Sequence, residues 1–218
     1  MTKNIFKTLG ILLITFLILS ASYVVNLFLM KPLSMDHYLA KELVVELIDS
    51  PEAMTYVGIF DRFSWLTKHS SKLSIPTEND RNEDISELED RLKILQSYDI
   101  NKLSDIQKTT REIAIFDTKN NLKNKKEFYY HDFPLNQIGG IHLSTIEFLN
   151  NMHPIRNLSE ANALVDRAFQ IKAVFEGTRK SLERQAEIGI YPPGFVYDHV
   201  VEQLTSFIEY TDEEHPLF

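Results

Sequence analysis

A chain of 218 residues, 44% of them hydrophobic, can bury one core of ordinary size or two small ones without covalent staples. Its lack of cysteine removes disulfides, thiolate metal sites and cysteine nucleophiles together. A formal net charge of -8 sets the surface field against phosphate backbones, so nucleic acid is not an expected partner; the cluster Lys119, Lys123, Lys125 and Lys126, spaced by asparagines, reads as a solvated loop.

The first element in the chain is a helix. From Thr8 to Met30 the sequence (TLGILLITFLILSASYVVNLFLM) carries no charge. At about 1.5 Å per residue it reaches roughly 34 Å, enough to cross a bilayer core of about 30 Å. Lys3, Lys7 and the terminal amine precede it and Lys31 follows, a bias toward an inside amino terminus that sends the rest of the chain to the periplasm or exterior. A cleaved signal peptide competes, because Leu9 to Leu19 has the length of a signal's apolar region and Ser20-Ala21-Ser22 supplies small residues for cleavage. The apolar run continues through Tyr23 to Met30, which favours a retained anchor; a buried core helix is the third reading. Residues 1–34 are assigned to an anchor or signal segment and 35–218 to a helical domain.

In that domain Asp36 can cap a helix with an apolar stripe at Leu39, Leu43 and Leu47. Ser50-Pro51 reads as an N-cap and first-turn proline for a helix toward Trp65, and Leu73 to Asn82 as a loop. Acidic residues from Glu83 lead into Ile85, Leu88, Leu92 and Leu95, an amphipathic helix with its carboxylates where the dipole favours them. Ser104 with Gln107, and Ser144 with Glu147, have capping-box spacing and mark two further helix starts. Ser159 opens a helix that runs to about Glu187, ended by Gly189 and Pro192-Pro193, and Phe195 to Tyr210 forms the last helix. No stretch alternates as a half-buried strand must, apart from a short extended candidate at Phe128 to Leu135. The expected class is all-α, an N-terminal transmembrane helix followed by a multi-helix domain. The ending at Glu213 to Phe218, apolar and uncapped, reads as an interruption of a larger fold.

The chemistry available is limited. There is no His-Glu-x-x-His, no Gly-x-Ser-x-Gly and no phosphate-cradling glycine loop, so no catalytic residue and no metal ligand is assigned. His131, His142 and His153 recur every eleven residues, but Pro134 and Gly139-Gly140 interrupt any helix that would stack them. The acids from Glu83 to Asp90 read as the solvated face of their helix; Asn157-Leu158-Ser159 matches a glycosylation acceptor, a match common by chance, and Ser159 reads instead as a helix cap. Two loops stand out. In Phe133 to Gly140, paired Gly139 and Gly140 admit close backbone approach and Asn136 and Gln137 offer amide donors and acceptors suited to peptide main chain. In Gly189 to Phe195, a stiff proline pair presents Tyr191. Both also read as tight structural turns.

The segments SPEAMTYVGIFDR from Ser50, Leu88 to Ile106, FPLNQIGGIHLS from Phe133 and GIYPPGFVYDHVVEQL from Gly189 together resemble the bacterial domain-of-unknown-function 885 family, whose longer members look like helical zinc metallopeptidases. The resemblance implies an exported or membrane-tethered fold whose helical walls enclose a channel, with zinc held by a His-Glu-x-x-Pro-Gly-His motif far downstream of Phe218. It carries no metal ligand onto any residue here. It places Asn136, Gln137, Gly139, Gly140 and Tyr191 near the channel as candidate substrate contacts. The leading expectation is therefore the non-catalytic N-terminal part of such a protein in the bacterial cell envelope, anchored in the inner membrane through residues 8–30 and completed by a downstream helical polypeptide, with peptide bound only by the complete protein. The alternative is a stand-alone, membrane-anchored helical binding or scaffold protein without enzymatic activity.

Overall fold

The computed structural model describes residues 2–209, with side chains from Lys7 onward. Among the described residues there are nine α-helices and no strand: α1 (Thr2–Leu29), α2 (Met35–Asp49), α3 (Pro51–Val57), α4 (Ser64–Thr67), α5 (Asp80–Gln96), α6 (Asp105–Glu127), α7 (Ile141–Glu147), α8 (Leu158–Glu187) and α9 (Gly194–Glu209). The candidate extended segment at Phe128 to Leu135 is a 3-10 turn, Tyr129–His131, followed by irregular chain. Tyr210 to Phe218, with the expected end of the last helix and the apolar tail, lie outside the described residues. The chain divides into two compact units, one holding the residues up to Glu46 with Asp90–Lys119, the other Leu47–Glu89 with the residues from Asn120 onward.

In the first unit, α1 includes a stretch, Lys7–Leu29, long and apolar enough to cross a membrane. Its end is tied down by Asn26, whose side chain donates to the Lys31 carbonyl (3.0 Å) and accepts from the Leu33 amide (3.1 Å). The core behind this turn is Met35, Tyr38, Leu95 and Tyr98, edged by Leu39, Ile94, Leu103, Ala114 and Ile115. The Tyr98 hydroxyl donates to the Pro32 carbonyl (2.9 Å), which satisfies its one buried polar group. The capping box at Ser104 and Gln107 forms as expected, with both reciprocal bonds in place (3.0 and 3.3 Å). The buried face of α2 differs from the leucine stripe. Met35 and Tyr38 face inward, while Leu43 is 69% exposed. Two adjacent faces of α2 are apolar, and the one carrying the larger aromatic ring took the core.

The second unit opens with α3, where Ser50 Oγ accepts from the Ala53 amide (3.1 Å) and Gly58, at φ +67°, ends the helix before Trp65 is reached. Its core is Leu73, Leu149 and Val174, with Ile141, Phe148, Leu164 and Ile171 packed around them. Asn157, two residues before the expected start at Ser159, caps α8 by accepting from the Glu160 amide (3.1 Å), and Gly189 (φ +76°) follows its end as expected. The second capping box does not form, because α7 starts three residues earlier at Ile141 with Gly140 as its N-cap and Ser144 lies inside the helix. Lys119, Lys123, Lys125 and Lys126 all lie on α6, not on a loop; lysine is a good helix former, and acids on α5 answer two of them in the pairs Lys125 with Asp84 and Lys126 with Glu89.

Arg167 is fully buried in this unit. Its guanidinium donates to the Lys72 carbonyl (2.9 Å), Thr55 Oγ1 (2.7 Å), the His69 carbonyl (3.0 Å) and His153 Nδ1 (2.6 Å), and stands 4.8 Å from the Phe148 ring centre. Burial pulls it down to about 10, so it remains a cation at neutral pH. His153 donates from Nε2 to the Glu160 carbonyl (2.8 Å), which leaves Nδ1 as the acceptor for Arg167 and fixes one neutral tautomer. Burial lowers the proton affinity of both His153 and His69, and the Arg167 charge adds to it. The unfolded chain therefore takes up these two protons near pH 6.5 while the folded chain takes them up only at lower pH. Stability is complete above about pH 6.5 and is lost as pH falls through the folded values, at up to about 1.4 kcal/mol per pH unit for each histidine. Urea titrations at about pH 7.5 and pH 5.5 should show the loss, and a profile flat across that range would mean that the native rings accept protons freely.

Candidate functional site

Pro134 to Gly140 forms a closed turn leading into α7. The Ile141 amide donates to the Pro134 carbonyl (2.8 Å) and the Gly140 amide to the Asn136 carbonyl (3.2 Å). Asn136 Oδ1 accepts from the amides of Ile138 (3.1 Å) and Gly139 (2.9 Å), and its Nδ2 donates to the Phe133 carbonyl (3.3 Å). A Cβ at Gly140 would stand 2.6 Å from Asn136 N and 2.8 Å from Asn136 O, so only glycine lets the turn close. Gly140 thus receives its own loop, and Asn136 holds that loop together. Gly139 is different: nothing lies within 4 Å of where its Cβ would be.

A relay of amides joins this turn to α9. Gln203 Nε2 donates to the Gln137 carbonyl (3.2 Å), and Gln203 Oε1 meets His142 Nε2 at 2.9 Å. An amide oxygen only accepts, so the imidazole hydrogen sits on Nε2 and Nδ1 presents a lone pair. That Nδ1 is buried and has no hydrogen-bond partner among the described residues. A buried acceptor without a partner costs about 1–3 kcal/mol.

His142 lines a cavity of about 650 Å³ bounded by α7, α8 and α9. Its walls are Ile138, Leu143, Ile146, Phe175, Leu204 and Phe207, and its polar groups are His142, Glu147, Asn150, Glu202, Gln203 and Ser206. Apolar walls with two carboxylates and further acceptors suit a positively charged group carried on an apolar body. Tyr191 lies elsewhere. Its hydroxyl donates to the Ala186 carbonyl (3.1 Å), and the ring borders a separate apolar groove of about 410 Å³ with Ile190, Pro192, Val196 and Val200. The structure therefore gathers Asn136, Gln137, Gly139 and Gly140 on one turn and sets Tyr191 apart. The sequence marks His142 only through its eleven-residue spacing from His131 and His153, and it does not mark Gln203; their pairing spans 61 residues, and no local pattern announces it.

No cluster of three histidine, aspartate or glutamate side chains among the described residues could hold a metal ion. Zinc, which the family resemblance implies, does not fit the donors present here, and no step is assigned to it.

The fold and cavity define a class, that of all-helical proteins carrying an N-terminal helix fit to cross a membrane. More particularly, the chain belongs to the DUF885 family, described as bacterial protein of unknown function, whose family model matches residues 51–218. No curated protein and no solved structure matches it.

Proposed function

We propose that this chain is the N-terminal, non-catalytic part of a membrane-anchored, exported, zinc-metallopeptidase-like protein, and that its second unit forms a wall of a peptide-binding channel. The observation that carries this reading is a pair of uncovered apolar helix faces. On α9, Tyr197, Val201 and Ile208 follow one another at helical spacing and are exposed, Ile208 to 80%; on α8, Leu158, Val165 and Phe169 do the same, Phe169 to 81%. Each such face forgoes roughly 25 cal/mol for every Å² left in water, which a further helix would recover. The cavity at His142 supports the peptide half of the reading: Glu147 and Glu202 would receive an amino terminus or a basic side chain, and Phe175 and Phe207 the apolar group beside it. Lys3 and Lys7 before the apolar helix support an outward-facing domain.

The test is reconstitution. Purified without its apolar N-terminal helix, the chain should bind a hydrophobic dye and cleave no peptide. A helical polypeptide bearing His-Glu-x-x-Pro-Gly-His, added in trans, should abolish dye binding and produce zinc-dependent peptidase activity. A monodisperse chain that binds no dye and ignores the added polypeptide would favour the stand-alone binding protein.

A further inference from the structure

The last turns of α1 belong to the first unit's fold as much as to the apolar span. The Tyr23 ring meets His37 of α2 edge-on, with centres 5.5 Å apart. Asn26 then closes the turn onto Lys31 and Leu33. Lys31 Nζ donates to the Ser97 carbonyl (2.9 Å) and stands 4.5 Å over the Tyr98 ring. These contacts hold α1 and the start of α2 at a set angle. The ring contact that ties α1 to α2 lies at Tyr23. From Lys7 that is roughly 24 Å of helix, and the Lys7 side chain can reach on to the far headgroups. Tyr23 is then at the level where tyrosines gather in membrane proteins.

At that same level α2 turns an apolar face outward. Met35 and Tyr38 occupy the core, and Ala40, Leu43 and Val44 lie on the opposite side of the helix, with Leu43 69% exposed and Val44 41% exposed. His37, the residue touching Tyr23, is on this outward side. The uncovered face therefore begins at the contact with the membrane helix and continues its apolar surface.

We propose that α2 lies along the bilayer surface as an interfacial helix, with Leu43 and Val44 in the boundary between headgroups and acyl chains. This rests on the reading that α1 spans a membrane. The partner is lipid rather than a second copy of the chain or another helix, because the face begins at the contact with α1 and continues the surface of the helix fit to cross the membrane. Asp36 lies on this face between Leu43 and Ala40, and Lys41 borders it beside His37, so the apolar contact is made by Leu43 and Val44. The first unit is thus seated on the membrane, not hung from it by a tether.

The experiment uses the full chain in phosphatidylcholine vesicles, with Trp65→Phe removing the sole tryptophan and Leu43→Trp or Val44→Trp supplying a reporter. Lipids brominated near the top of the acyl chain should quench either reporter about twofold or more, the depth expected for an interfacial helix. Ile14→Trp within α1 is the reference. Quenching at position 14 without quenching at 43 and 44 would overturn the seating of α2 while leaving the membrane reading intact. Quenching at none of the three would overturn both.

Discussion

Arg167→Met is expected to destabilise the second unit by about 4 kcal/mol or more in urea denaturation, the largest loss for any single side chain here. Methionine fills similar space, but the buried acceptors Thr55 Oγ1 and His153 Nδ1 and the part-buried Lys72 carbonyl lose their donor, and the His69 carbonyl keeps only the Lys72 amide. Each orphaned acceptor costs about 1–3 kcal/mol, more than methionine's better burial returns. Arg167→Lys should rescue little, since one ammonium cannot reach acceptors arranged around a planar fork. Arg156 is the contrast. It pairs with Asp61 and Glu160 at the surface, its side chain 59% exposed, and Arg156→Met should leave stability nearly unchanged. A loss at Arg167 no larger than that at Arg156 would show that the buried network does not hold the unit together.

The contrast between these two arginines also marks what could be read from the sequence. Ser50, the Ser104 and Gln107 pair, and Gly189 act on backbone groups within a few residues, so their spacing alone announced them. Asn157 caps α8 where Ser159 was expected to, because spacing alone does not say which side chain reaches the free amide. On α2, two neighbouring faces are apolar, and only the partner side chains Leu95 and Tyr98 decide which is buried. Arg167 sits among Ala163, Leu164 and Ala168 on α8, where an arginine ordinarily points to water; its acceptors come from positions 14 to 112 residues away. The same holds at the cavity. The Gly139-Gly140 turn was visible because glycine is a local signal, whereas the relay from Gln137 through Gln203 to His142 exists only once α9 is packed beside α7.

Gly177→Ala tests a close approach that helix propensity alone would miss. In mid-helix, alanine is ordinarily favoured over glycine by about 0.5–1 kcal/mol. At Gly177, however, an added Cβ would overlap the Pro76 carbonyl oxygen and stand 3.2 Å from its carbon. These are backbone atoms and cannot rotate away. The segment that carries them is pinned on both sides, by Gln170, which bonds the Leu73 amide (3.1 Å) and the Ser71 carbonyl (2.6 Å), and by the bond from the Thr77 amide to Asp80 (2.9 Å). Relief requires moving that segment or α8 itself, at about 1–3 kcal/mol for overpacking, so the steric cost outweighs the propensity gain and the variant should be less stable by about 1–2 kcal/mol. Gly194→Ala, where nothing stands within 4 Å, should be neutral or slightly stabilising by the same assay. The displacement has a functional reach as well. Phe175, two residues from Gly177 on α8, forms part of the cavity wall opposite His142, so a shift of the helix should weaken binding there of a peptide carrying a free amino terminus, in step with the loss of stability. Equal stabilisation by alanine at both positions would mean that α8 and Pro76 are not in contact, and the cavity wall would then have to be held by Leu73 and the core around Val174 alone.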